Sequence, residues 1–130
     1  MKTTEFTVAG NTWHLCRNGA ALFDIYEKFG DDGSVVDHIK GNDKKAFQAV
    51  CWMLYKLAEQ GELVRRYLGH TPGKFPNEHT FRALLRPREV AEAKEAIYEA
   101  VRLGFAREEP DEEKSVDVGL LELQKKTEPG

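Results

Sequence analysis

The chain has 130 residues, 41% of them hydrophobic and 32% charged, which is enough for one domain with an ordinary core. No run approaches the roughly 18 apolar residues of a membrane span, and the polar stretch from Met1 to Thr7 lacks the apolar region of a secretory signal. Two cysteines, Cys16 and Cys51, make no disulfide framework, so a reduced cytosolic compartment is expected and a membrane protein, a collagen and a disulfide scaffold are excluded.

The net charge of -3 is unevenly spread. Residues 1–105 hold 15 basic and 14 acidic side chains, whereas residues 106–130 hold 4 and 8. The body therefore offers no global field for nucleic acid.

Taken in chain order, the first element is a β-hairpin. Glu5-Phe6-Thr7-Val8 and Trp13-His14-Leu15-Cys16 alternate, and Ala9-Gly10-Asn11-Thr12 supplies turn chemistry between them. Phe6 and Val8 share one face in this reading, and Trp13 and Leu15 another. Asn18 caps a first helix that runs to Phe29, with Leu22, Ile25, Tyr26 and Phe29 as its apolar stripe and Gly30 as its stop. Val35 to Ile39 is short enough to be a helical turn or a strand.

Asn42 or Asp43 starts the strongest helix. Phe47, Val50, Cys51, Leu54, Leu57 and Ala58 make a stripe of more than three turns, and Trp52, Met53 and Tyr55 add bulk elsewhere. Val64, Tyr67 and Leu68 carry the period past Gly61, so a bend there is favoured over a clean end. Gly69 to Pro76 is a loop. Asn77 caps a helix holding Phe81, Leu84 and Leu85. Pro87 opens a last helix with Val90, Ala93, Ile97, Ala100 and Val101, which Gly104 ends, after which Phe105 folds back onto the bundle. The fold expected is mainly α (α+β): an N-terminal β-hairpin packed on about four or five helices. The globular part is 1–105. Residues 106–130 form a flexible acidic tail, with the linker from Glu108 to Glu113 followed by the apolar patch Val116, Val118, Leu120, Leu121 and Leu123.

Motifs that carry chemistry are scarce. His14 and Cys16 are two apart, but no C-x-x-C or H-x-x-x-H pair accompanies them, so no metal site and no cofactor are expected. Cys51 lies within an apolar stripe, where a thiol is inert. No P-loop, G-x-S-x-G or G-x-G-x-x-G pattern occurs, so no enzyme is expected. A basic segment, Arg65, Arg66, Lys74, Arg82, Arg86 and Arg88 with interleaved aromatics, suits phosphate binding, or else two solvated helix faces. The tail patch suits docking onto a partner.

The arrangement resembles the small tail assembly chaperones of long-tailed bacteriophages and prophages. The resemblance rests on Trp13, Leu15, Arg17 and Asn18 near the start, on Phe29-Gly30, and on Ala96-Ile97, Ala100-Val101 and Gly104. It continues through the acidic linker into Val116 to Lys126. It implies a non-enzymatic protein of the host cytoplasm that binds and solubilises the tape measure protein. It also implies self-association, a possible contact with the tail tube protein, and no binding to nucleic acid or membrane. Two alternatives stand beside it: a small nucleic-acid-binding regulator using the Arg65–Arg88 segment, and a head–tail connector piece of the virion.

Overall fold

The computed structural model describes residues 2–30 and 35–105. Strands β1 (Thr4–Val8) and β2 (Asn11–Leu15) form an antiparallel hairpin. Five helices follow: α1 (Gly19–Phe29), α2 (Val35–Ile39), α3 (Lys44–Tyr67), α4 (Glu78–Leu84) and α5 (Pro87–Phe105). The expected architecture is present, mainly helical with the hairpin packed on the helices.

The hairpin turn is shorter than expected. Strand β2 begins at Asn11, so only Ala9 and Gly10 connect the strands, at φ of 51° and 79°. Positive φ at both central residues is the type I′ requirement, whose twist matches the flanking strands. The register opposes Phe6 to Trp13 and Thr4 to Leu15. Directly paired residues point to the same side of a sheet. Phe6, Val8, Trp13 and Leu15 therefore share one face, not two. That face packs on α3 and α5.

Capping chemistry explains the helix starts. The Asn18 side chain accepts from the Ala21 amide at 3.0 Å, and Asp43 does the same for Ala46 at 2.9 Å. Each satisfies an amide that the first turn leaves without a helical partner. Gly30 donates its amide to the Tyr26 carbonyl and closes α1. In α1 the buried residues are Ala21 and Ile25, and Tyr26 of the expected stripe faces outward beside Phe23. Residues Val35–Ile39 are helical, not a strand.

Helix α3 is the axis of the domain. Val50, Cys51, Met53, Leu54 and Leu57 are fully buried along it. It continues through Gly61 to Tyr67. A Cβ at Gly61 would overlap the carbonyl oxygen of His14. One turn away, the Cys16 amide donates to the Leu57 carbonyl at 3.0 Å. Strand β2 therefore lies backbone to backbone on α3, which the absent side chain at residue 61 permits.

Gly104 does not end α5, which runs on to Phe105. A Cβ there would come within 2.8 Å of the Arg17 carbonyl oxygen. Gly104 is thus a second point of close approach, between the end of α5 and the start of α1. Phe105 does not fold back into the core: it is 69% exposed, with the Arg17 guanidinium 4.2 Å from its ring centre. Near its middle α5 is tied across by Lys94, whose Nζ donates to the Gly41 carbonyl at 2.8 Å.

Candidate interaction surface

The last two turns of α3 and the loop after them hold the most unusual chemistry among the described residues. Glu62 is 6% exposed. An isolated carboxylate at that depth is costly, so it needs charged and hydrogen-bonding partners. It has three. Arg65 Nη1 donates to Oε1 at 3.0 Å, Arg66 Nε donates to Oε2 at 2.8 Å, and the Gly73 amide donates to Oε2 at 2.6 Å. Burial pushes this carboxyl up, but the bonds from Arg66, Gly73 and Arg65 outweigh it and hold it below the ordinary carboxylate range. The Arg66 guanidinium also donates to the Gly73 carbonyl at 2.9 Å and lies 4.2 Å from the centre of the Phe75 ring. Glu62 thus pins the 69–76 loop against α3.

On one side of this latch, a groove of about 230 Å³ runs between Trp13 and His14 of β2 and Glu62, Arg65 and Lys74. On the other side the surface is apolar. Leu63 is 45% exposed and Tyr67 89%. Four residues apart, they lie on one face of the helix. Phe75, on the Arg66 guanidinium, borders them at 46% exposure. The same face of α3 carries Lys56 and Gln60 further back, where α1 covers it. Lys56 pairs with Asp24 at 2.9 Å, and Asn18 donates to Gln60 at 3.1 Å. Past Gln60, α1 has ended and nothing among the described residues replaces it. Tyr67 carries the helical period forward, as its spacing suggests, but emerges at the surface.

The six cations of the basic segment do not form one surface. Arg65, Arg66 and Lys74 stand together at the C-terminal end of α3. The charge of Arg82, on α4, reaches the Cys51 thiol, which lies in the first third of α3, about 20 Å back along the helix from Arg65. Arg86 immediately precedes α5 and Arg88 lies in its first turn. The arginines are also engaged locally: Arg82 with Glu78 at 3.8 Å, Arg86 with Glu89 at 2.9 Å, and Arg88 with Glu92 at 3.8 Å. At the α3 end, two arginines share the single carboxylate of Glu62, so with Lys74 that cluster keeps a surplus of positive charge.

The tail residues Val116, Val118, Leu120, Leu121 and Leu123, like the linker before them, lie outside the described residues. Cys16 and Cys51 are both buried. Burial pushes the Cys51 thiol up to about 11, with Arg82 opposing, so it stays protonated near neutrality. Among the described residues no group of three His, Cys, Asp or Glu side chains is placed to hold a metal ion, and no helix is long and apolar enough to cross a membrane.

Neither Glu62 nor Leu63 stands out in the sequence alone. The spacing of Glu62 to Arg65 and Arg66, three and four residues on, was the available signal. No family model matches the chain, and no curated protein or solved structure matches it either.

Proposed function

We propose that this protein is a non-enzymatic tail assembly chaperone of a long-tailed phage or prophage, which binds the tape measure protein and keeps it soluble until the tube forms. The observation that carries the reading is the uncovered apolar stripe of Leu63 and Tyr67 at the end of α3, bordered by Phe75. A long amphipathic helix offers the complementary surface, laying its apolar face against such a stripe. Many copies along one target make weak individual contacts sufficient. The distribution of the arginines supports the same reading over a nucleic-acid regulator. Five of the six basic residues already have carboxylate partners, and the six are divided among the end of α3, the loop after it, α4 and the start of α5.

The test is titration with a tape-measure fragment and with duplex DNA at about 50 and 200 mM salt. An apolar contact weakens little over that range, whereas six phosphate contacts lose on the order of a thousandfold in affinity. Co-expression keeps the tape-measure fragment in the soluble fraction. Aggregation of the fragment regardless, with tight DNA binding and a steep salt slope lost in Arg65→Ala/Arg66→Ala, replaces this reading with the nucleic-acid one.

A further inference from the structure

We propose that the uncovered stripe of α3 is a docking site for the chain's own apolar segment, residues 116–123, so that the free protein masks its interaction surface. Three observations lead there. The first is where the chain leaves the described domain. Phe105 sits over Arg17, next in sequence to Asn18, and Asn18 is bonded to Gln60. The exit therefore lies beside the turn of α3 at which α1 stops covering it. Leu63 and Tyr67 are the next two exposed positions on that face.

The second is reach. Seven helical residues separate Gln60 from Tyr67, about 10 Å along the axis. Ten residues, 106–115, separate Phe105 from Val116. A coil of that length spans about 17 Å on average and about 33 Å at most. The apolar segment begins within range of the stripe without either end having to move.

The third is charge. Glu108, Glu109, Asp111, Glu112 and Glu113 against Arg107 and Lys114 leave the connecting stretch with a net charge of -3. The cluster flanking the stripe has Arg65, Arg66 and Lys74 against Glu62 alone. An acidic connector is drawn toward that surplus and brings the apolar residues behind it onto Leu63 and Tyr67. Tethering supplies an effective concentration in the millimolar range, so a contact too weak to form between separate chains forms within one. A partner of any kind then binds in competition with the segment.

The experiment uses the full chain and no partner, so its result is independent of the tape-measure reading. A photoreactive benzoylphenylalanine replaces Leu121 and the protein is irradiated. The expected result is crosslinks in the monomer band to the peptide holding Leu63 and Tyr67, reduced about tenfold by Leu63→Ser/Tyr67→Ser. In parallel, Leu120→Ser/Leu121→Ser should shift the amide resonances of Leu63 and Tyr67 relative to the unaltered chain. Both patch residues are exposed, so a thermal melt confirms that these variants stay folded. Crosslinks confined to a dimer band assign the stripe to a second copy and overturn the proposal. So do crosslinks to another face, or amide resonances that do not move.

Discussion

Gly61 and Glu62 are neighbours on one helix, yet they hold different parts of the molecule by different physics. At Gly61 the contact is steric: the backbone of β2 lies on the backbone of α3, and what matters is the absence of a side chain. At Glu62 the contact is ionic: one buried carboxylate gathers two guanidinium groups and a loop amide. The first joins elements of the core, where close packing leaves no slack. The second fastens a surface loop that has little apolar contact of its own. The seam therefore bears on global stability, while the latch sets the local order of the surface proposed to bind a partner.

Gly61→Ala tests the seam and carries the largest expected effect. Alanine is the better helix former by about 1 kcal/mol. Here its methyl group meets the His14 carbonyl, so strand and helix must separate. Overpacking of this kind costs about 1–3 kcal/mol, and the backbone contact places this site at or above the upper end. A net loss of about 2–3 kcal/mol in urea unfolding is expected. Gly19→Ala is the control, since a Cβ there meets nothing within 4 Å. It should leave stability unchanged or slightly raised. Equal losses in the two variants would mean the seam is not close-packed.

Glu62→Gln tests the latch. The amide keeps an oxygen for the Gly73 amide but loses the charge that holds both arginines. Hydrogen bonds to charged groups contribute about 1.5–3 kcal/mol, so a loss of about 1–2 kcal/mol is expected. The local effect should exceed the global one: trypsin should cut after Lys74 faster in the variant. Acid acts on the same bond. The Glu62 carboxyl sits below its ordinary value in the folded state, so its contribution is fully present above the unfolded pKa of about 4.3 and falls away as pH drops through the folded value. The unaltered protein should lose stability below about pH 4.5, and Glu62→Gln should flatten that slope. Glu89 and Glu99 are also held low, by Arg86 and Arg102, but at the surface where solvent screens them. A slope unchanged in the variant would remove Glu62 from the account.

What the sequence disclosed divides along the same line. The caps at Asn18 and Asp43 and the stop at Gly30 are local chemistry, decided within four residues, and they were legible. The apolar period of α3 was legible too, because a stripe of that length has one consistent face. Gly61 and Gly104 were not: the first reads as a bend and the second as a helix stop, yet both are places where another backbone comes close, which is a tertiary fact. The hairpin face failed for a different reason: alternation within each strand does not show how the two strands' faces relate. Pairing does, and a turn shorter by two residues changes the pairs but leaves Phe6, Val8, Trp13 and Leu15 on one side. Tyr67 and Phe105 continue apolar patterns into positions that no described element covers. The interaction surface was half legible, since the cations were visible in the sequence but their sharing of Glu62 was not.

The smallest expected effect lies in the hairpin turn, away from both Gly61 and Glu62. Ala9 has φ of 51°, where its Cβ crowds the backbone, while Gly10 beside it adopts 79° freely. Type I′ turns favour Asn or Gly at the first central position because those residues tolerate this region. Ala9→Gly relieves the strain but gives the unfolded chain more freedom, and the two effects oppose each other. The strain of about 1–2 kcal/mol exceeds the entropic loss of about 0.5–1 kcal/mol. A net gain of about 0.5 kcal/mol is expected, read as a higher urea midpoint at an unchanged slope. The gain should add to the loss in Glu62→Gln, because the turn and the 69–76 loop share no bond among the described residues. It should be blunted in Gly61→Ala, where β2 is already displaced from α3 and the hairpin no longer needs that exact twist. Additivity in both double variants would show that the hairpin holds its shape without the seam.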